Sequence, residues 1–120
     1  MKLKFWLPPV IWAGLIFAAS SFPTRGLPPL IPHADKVAHF IIYGILALLL
    51  YRAFRTERRV GALAAVLLSV LIASAYGALD EFHQSFVPSR STDVFDWMAD
   101  TLGALFASTC LAFIRRQTRS

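Results

Sequence analysis

The sequence predicts an all-α integral membrane protein, a four-helix bundle with short loops, on three observations. Hydrophobic residues make up 57% of the 120 positions and charged residues only 16%, whereas soluble domains average roughly 45–50% and 25%. The apolar residues gather into four long runs, with no strand-like alternation to compete with a helical reading. The basic residues cluster between and beyond those runs, on alternate sides. A water-soluble chain this short would need more polar surface, not less.

A membrane helix needs roughly 20 mostly apolar residues. The first span, 5–22, is free of charge from Phe5 to Phe22, and Pro8 and Pro9 fall in its opening turns, where a missing amide donor costs least. Met1–Ser21 also has the basic start, apolar centre and small residues of a signal peptide. Two prolines inside the apolar centre favour a retained helix. The second span, 37–54, opens with the charge-free run Val37–Tyr51, between Lys36 and Arg52, whose stems can snorkel to the interfaces. The third, 60–79, has no ionisable side chain except Tyr76, and the fourth, 94–114, is apolar but carries Asp96 and Asp100 near its start. These spans make a single transmembrane domain over residues 1–120. The Phe22–Asp35 connection has four prolines and reads as extended, Arg52–Arg59 as a compact turn, and Asp80–Asp93 as a hairpin broken by Pro88.

Nine of the twelve Lys and Arg residues fall at the two termini and in the second loop; Arg25, Lys36 and Arg90 fall on the opposite side. The positive-inside rule then places both termini in the cytoplasm, and the protein in a bacterial cytoplasmic (inner) membrane as a multi-pass protein. The net charge of +5 is thereby explained without nucleic acid, for which there is no basic patch with interleaved aromatics. A single cysteine, Cys110, excludes an intramolecular disulfide and a multi-cysteine zinc site. Trp6, Trp12, Tyr51, Phe86, Phe95 and Trp97 read as interfacial aromatics.

The acids are biased the other way: six of seven, all but Glu57, lie at or near the outer ends of the spans. Small residues recur every fourth position at Gly61, Ala65, Ser69, Ala73 and Gly77, with Glu81 next in register, and the fourth span has Ala99, Gly103 and Ala107. Close packing of these two helices is the expected result, and it would bring Asp80 and Glu81 near Asp96 and Asp100. Lys36, His39 and Tyr43 share one face of the second helix, Asp80 and Gln84 one face of the third, with Glu81 and His83 beside them. Asp100 is expected about 9 Å into its span at 1.5 Å per residue, where an unpaired carboxylate costs about 2.5–3.5 kcal/mol. Asp80, Glu81, Asp96 and Asp100 against Lys36 and Arg90 leave a net of −2. A bound cation, retained protons or charged histidines must balance it. Taken singly, Asp80, Glu81, Arg90 and Asp93 read as a solvated loop and His39 as a packing histidine; depth makes Asp96 and Asp100 hardest to explain so.

The runs Asp35-Lys36-x-x-His39-Phe40-x-x-Tyr43, Asp80-Glu81-x-x-Gln84-x-Phe86-x-Pro88-x-Arg90 and Asp96-x-x-x-Asp100-x-x-Gly103 together resemble the VanZ-like family, over a core of about 35–107. Asp100 stands where the family usually has Asn, and Ser89 where Gly is usual. The resemblance implies action at the cell envelope in glycopeptide or lipoglycopeptide (teicoplanin) resistance. Lys36, His39, Tyr43, Asp80, Glu81, Gln84, Arg90, Asp96 and Gly103 match the family's polar signature, and its side chains from Lys36 to Asp96, together with Asp100 at its depth in the fourth span, form the candidate ligand-binding set. Two functions compete. In one, the outer cluster binds a lipid-linked cell-wall precursor or a lipoglycopeptide, with the bilayer as its surroundings and no turnover. In the other it is a membrane-embedded enzyme acting on a lipid-linked head group, with His39, Asp80, Glu81 and Arg90 as candidate catalytic groups. A divalent metal is a candidate cofactor, with His39, Glu81, His83 and Asp96 as candidate ligands, although their spacing is not diagnostic. An ion path is the weakest reading, because polar groups occupy one side only.

Overall fold

The computed structural model describes residues 4–21, 34–87 and 94–118. They form four helices, α1 (Leu7–Ser20), α2 (Ala34–Glu57), α3 (Ala62–Gln84) and α4 (Val94–Thr118), and no strand among the described residues. The face that α3 buries is Ala65, Val66, Ser69, Ala73, Gly77, Asp80, Glu81 and Gln84, mostly small or polar, while Leu63 and Phe82 are 73% and 67% exposed. Water would reverse that distribution. In a bilayer it is the stable one, because lipid tails solvate leucine and small residues let helices approach.

Three helices are long and apolar enough to cross a membrane: Lys36–Glu57, Ala62–Gln84 and Val94–Arg116. The first span is shorter than expected. At 14 residues, α1 measures about 21 Å, less than the hydrocarbon thickness of about 30 Å. Its last turn is closed by its own serines, Ser20 Oγ donating to the Ile16 carbonyl and Ser21 Oγ to that of Phe17, each at 2.8 Å. Pro23 follows in the sequence and disfavours helix at the residue before it.

α3 and α4 pack together as the small-residue stripe predicts, while the most extensive helix contact is between α2 and α4. Gly44 and Gly103 face each other there: a Cβ on Gly44 would lie 3.3 Å from the Gly103 carbonyl oxygen, and one on Gly103 would overlap the Phe40 carbonyl. The stripe on α3 is nevertheless buried, from Ala65 to Glu81. Three ring donors then tie helices together by bonding main-chain carbonyls that already serve the helix. Trp12 Nε1 donates to Ile42 at 2.9 Å, Trp97 Nε1 to Ser74 at 2.9 Å, and Tyr76 Oη to Ala13 at 2.5 Å. Trp12 and Trp97 are thus clasps between helices rather than interfacial anchors. Tyr51 is 1% exposed in a cluster with Ala65 and Val66, so it is core as well.

The bundle has a chemically distinct pair of ends. Trp6 meets Phe54 edge-on at one end, near the turn where Arg55 donates to the Val60 carbonyl at 3.0 Å. Arg59 takes a left-handed conformation in that turn (φ 54°). At the other end Ser21 meets His83 and Lys36 meets Asp96. Antiparallel neighbours make this segregation automatic: alternate loops fall at opposite ends.

Candidate functional site

Three helices contribute to one polar cluster near the acidic end. Helical spacing puts Lys36, His39 and Tyr43 of α2 on a common face; α3 brings Asp80, Glu81 and Gln84, and α4 brings Asp96 and Asp100. All five α3 and α4 groups are buried, Asp100 completely. The α3 helix runs on through Gln84, so Asp80 and Glu81 belong to a helix rather than to the expected hairpin. Burial explains the extra turn, since these side chains point toward α2 and α4 instead of water.

His39 is the pivot. Its Nδ1 lies 2.7 Å from Asp100 Oδ1, and its Nε2 lies 3.9 Å from Asp96 Oδ2. The first distance is a short hydrogen bond; the second is too long for one. Lys36 Nζ approaches the other oxygen of Asp96 at 3.4 Å. Tyr43 Oη donates to Asp80 Oδ2 at 3.2 Å, and its ring lies nearly parallel to that of His39 with centroids 6.2 Å apart. One donor atom from each of His39, Glu81 and Asp96 falls within 4.8 Å of the others.

Gly77 is what admits Asp100. A Cβ at that position would stand 2.7 Å from Asp100 Oδ2, and that oxygen has no hydrogen-bond partner among the described residues. The small residue in the α3 stripe therefore makes room for a carboxylate as well as a helix.

A cavity of about 340 Å³ adjoins the cluster. Trp12, Leu15 and Ile16 of α1 and Ile42 of α2 form its apolar wall, and Ser20, His39, Asp80 and Gln84 supply polar groups toward the acidic end. The contribution of α1 was not legible in the motifs, which begin at Asp35.

Of the residues expected at the site, Lys36, His39, Tyr43, Asp80, Glu81, Gln84, Asp96 and Asp100 converge. His83 does not. Its Nε2 lies 3.0 Å from Ser21 Oγ and its ring stacks on Phe17 at 4.5 Å, so it faces α1. At about 100° per residue, positions 81 and 83 are about 200° apart on one helix and cannot share a face; that signal becomes available once α3 is known to continue through them. Arg90, Asp93 and the Phe22–His33 part of the proline-rich loop lie outside the described residues, as does the side chain of Asp35.

These observations define a helical membrane protein with carboxylates and a histidine buried near one end of its bundle. A model of the VanZ/LLP1 family matches residues 5–115, and the chain belongs to that family. The match extends the family core to include α1, whose residues line the cavity. The chain is 38% identical over 78 residues to a protein of Schizosaccharomyces pombe (strain 972 / ATCC 24843) described as uncharacterized protein C11E3.10, over 64% of this chain and 46% of the yeast protein. It thus spans about half the length of the curated relative it matches. No solved structure matches.

Proposed function

We propose that the protein binds an amphiphile, a lipid-linked cell-wall precursor or a lipoglycopeptide such as teicoplanin, with its head group at the acidic cluster and its acyl portion against α1 and α2. The observation that carries this reading is the cavity. Its apolar wall, from Trp12 to Ile42, continues into His39, Asp80 and Gln84, as a site for a molecule with both parts requires. Lys36 supplies a cation to the cluster, with its Nζ 3.4 Å from Asp96 Oδ1. The acidic end then faces out of the cytoplasm, and the arginine-rich end faces in. Teicoplanin resistance is the physiological role that the family suggests for such binding.

Titration of the detergent-purified protein with teicoplanin, and with teicoplanin lacking its acyl chain, tests the reading. Saturable binding that weakens at least tenfold without the acyl chain is expected. Glu81→Gln or Asp80→Asn should remove it while the folded yield stays near that of the wild type. Comparable loss of folded protein would instead make these carboxylates structural. A tag placed after Arg58 should be protected from an impermeant label in intact cells; labelling there would reverse the orientation.

A second reading, a membrane-embedded enzyme on a lipid-linked head group, is favoured by the 2.7 Å His39–Asp100 contact. A histidine held by a carboxylate is a competent general base or acid. Release of a head group from an undecaprenyl pyrophosphate-linked lipid by wild type, and not by His39→Gln, would establish turnover over binding alone.

A further inference from the structure

We propose that His39, Glu81 and Asp96 hold one divalent transition-metal ion, Zn²⁺ or Mn²⁺, with Asp100 as the carboxylate that orients the histidine. Three different helices each offer one donor atom, all within 4.8 Å of one another. The 3.9 Å between His39 Nε2 and Asp96 Oδ2 exceeds a hydrogen bond. Two ligands of a tetrahedral ion with bonds of about 2.1 Å stand about 3.4 Å apart, so the His39–Asp96 pair is already close to that separation.

The Asp100 contact is an independent observation. With Asp100 ionised, the 2.7 Å contact takes a ring proton on Nδ1, and a neutral His39 then presents its Nε2 lone pair on the side of Asp96. A buried carboxylate behind a histidine, holding its tautomer and ring plane, is the arrangement that metal-ligating histidines use. Asp100 is wholly buried and Gly77 lacks a Cβ where Asp100 sits, so this orientation is fixed by packing. Charge points the same way: even with Arg90 counted beside Lys36, the four carboxylates leave a net of −2, which one divalent ion neutralises. An imidazole with two carboxylates suits zinc or manganese. Calcium and magnesium favour oxygen alone, and copper(I) favours sulfur. Three protein ligands leave a coordination position for water or for a ligand's oxygen anion.

The ion does not depend on the amphiphile reading, and one experiment separates them. The detergent-purified full chain is stripped with a chelator, dialysed against Zn²⁺ or Mn²⁺, and assayed for metal content and affinity without any lipid or antibiotic. One ion per wild-type chain is expected. Affinity should fall more than 100-fold in His39→Gln and Glu81→Gln and, for a positioning residue, about 10–100-fold in Asp100→Asn; His83→Gln should match wild type. Binding that is absent in wild type, unchanged in His39→Gln, or lost in His83→Gln overturns the proposal. If the ligand variants do not fold, Co²⁺ added to stripped wild type decides: visible bands of a nitrogen–oxygen site displaced by Zn²⁺ support it, and their absence refutes it. Teicoplanin binding is measured separately with chelator present, so either result can fail alone.

Discussion

Gly103→Ala is expected to lower the thermal stability of the detergent-purified protein more than any other single methyl addition. The new Cβ would overlap the Phe40 carbonyl, which is main chain in the middle of a helix contact and has no rotamer by which to yield. The only relief is separation of α2 from α4. Overpacking of this kind costs about 1–3 kcal/mol. The cost reaches the site as well, because Lys36–Asp96 and His39–Asp100 both cross that interface. Gly14→Ala is the control: nothing lies within 4 Å of its added Cβ, and exchanging glycine for alanine in a helix gains about 0.5–1 kcal/mol. Unfolding followed by tryptophan fluorescence should therefore shift in opposite directions for the two variants. Equal stability of Gly103→Ala and wild type would mean that α2 and α4 are farther apart than described.

Gly77→Ala should produce the largest local effect on the cluster. Its Cβ would stand 2.7 Å from Asp100 Oδ2 and 3.3 Å from Asp100 Cβ. The carboxylate must swing away, and the 2.7 Å bond to His39 breaks with it. Unlike Gly103, Gly77 meets the end of a side chain, so removing that end should relieve it. The variant is expected to lose about 1–3 kcal/mol through overpacking and its ligand binding with it. Gly77→Ala combined with Asp100→Ala should regain most of the stability but none of the binding, a coupling that a double-mutant cycle measures. Additive losses would show that Gly77 and Asp100 do not share one space.

The convergence of these groups is largely legible in the sequence. Lys36, His39 and Tyr43 keep a helical spacing, as do Asp80 with Gln84 and Asp96 with Asp100, so each helix could be assigned a polar face. The register of Ala65, Ser69, Ala73, Gly77 and Glu81 foretold that the acid would follow the small residues into the interface, and Glu81 is buried there. The same register did not disclose which helix α4 packs most closely. The stripe implies that Gly103 meets α3, yet it opens onto Phe40 and Gly44 of α2. A small residue announces that a backbone comes close without saying whose. Trp12 and Trp97 failed differently. Their indoles fit an interfacial reading by composition, whereas their donors reach carbonyls of Ile42 and Ser74 on neighbouring helices.

The sequence by itself determined the class of protein, the segregation of acids from arginines, and the face that each helix reserves for polar groups. Hydropathy and the 3.6-residue period are local properties, and adjacent helices joined by short loops must alternate direction. The tertiary structure decided how those faces turn toward one another. It selected His39 over His83, set Asp100 behind the imidazole in the space left by Gly77, and brought α1 in as a cavity wall. Those choices follow from the rotation of each helix about its axis and from which pair makes the closest approach. Both are fixed by steric fit among four helices at once, which no single stretch of chain contains.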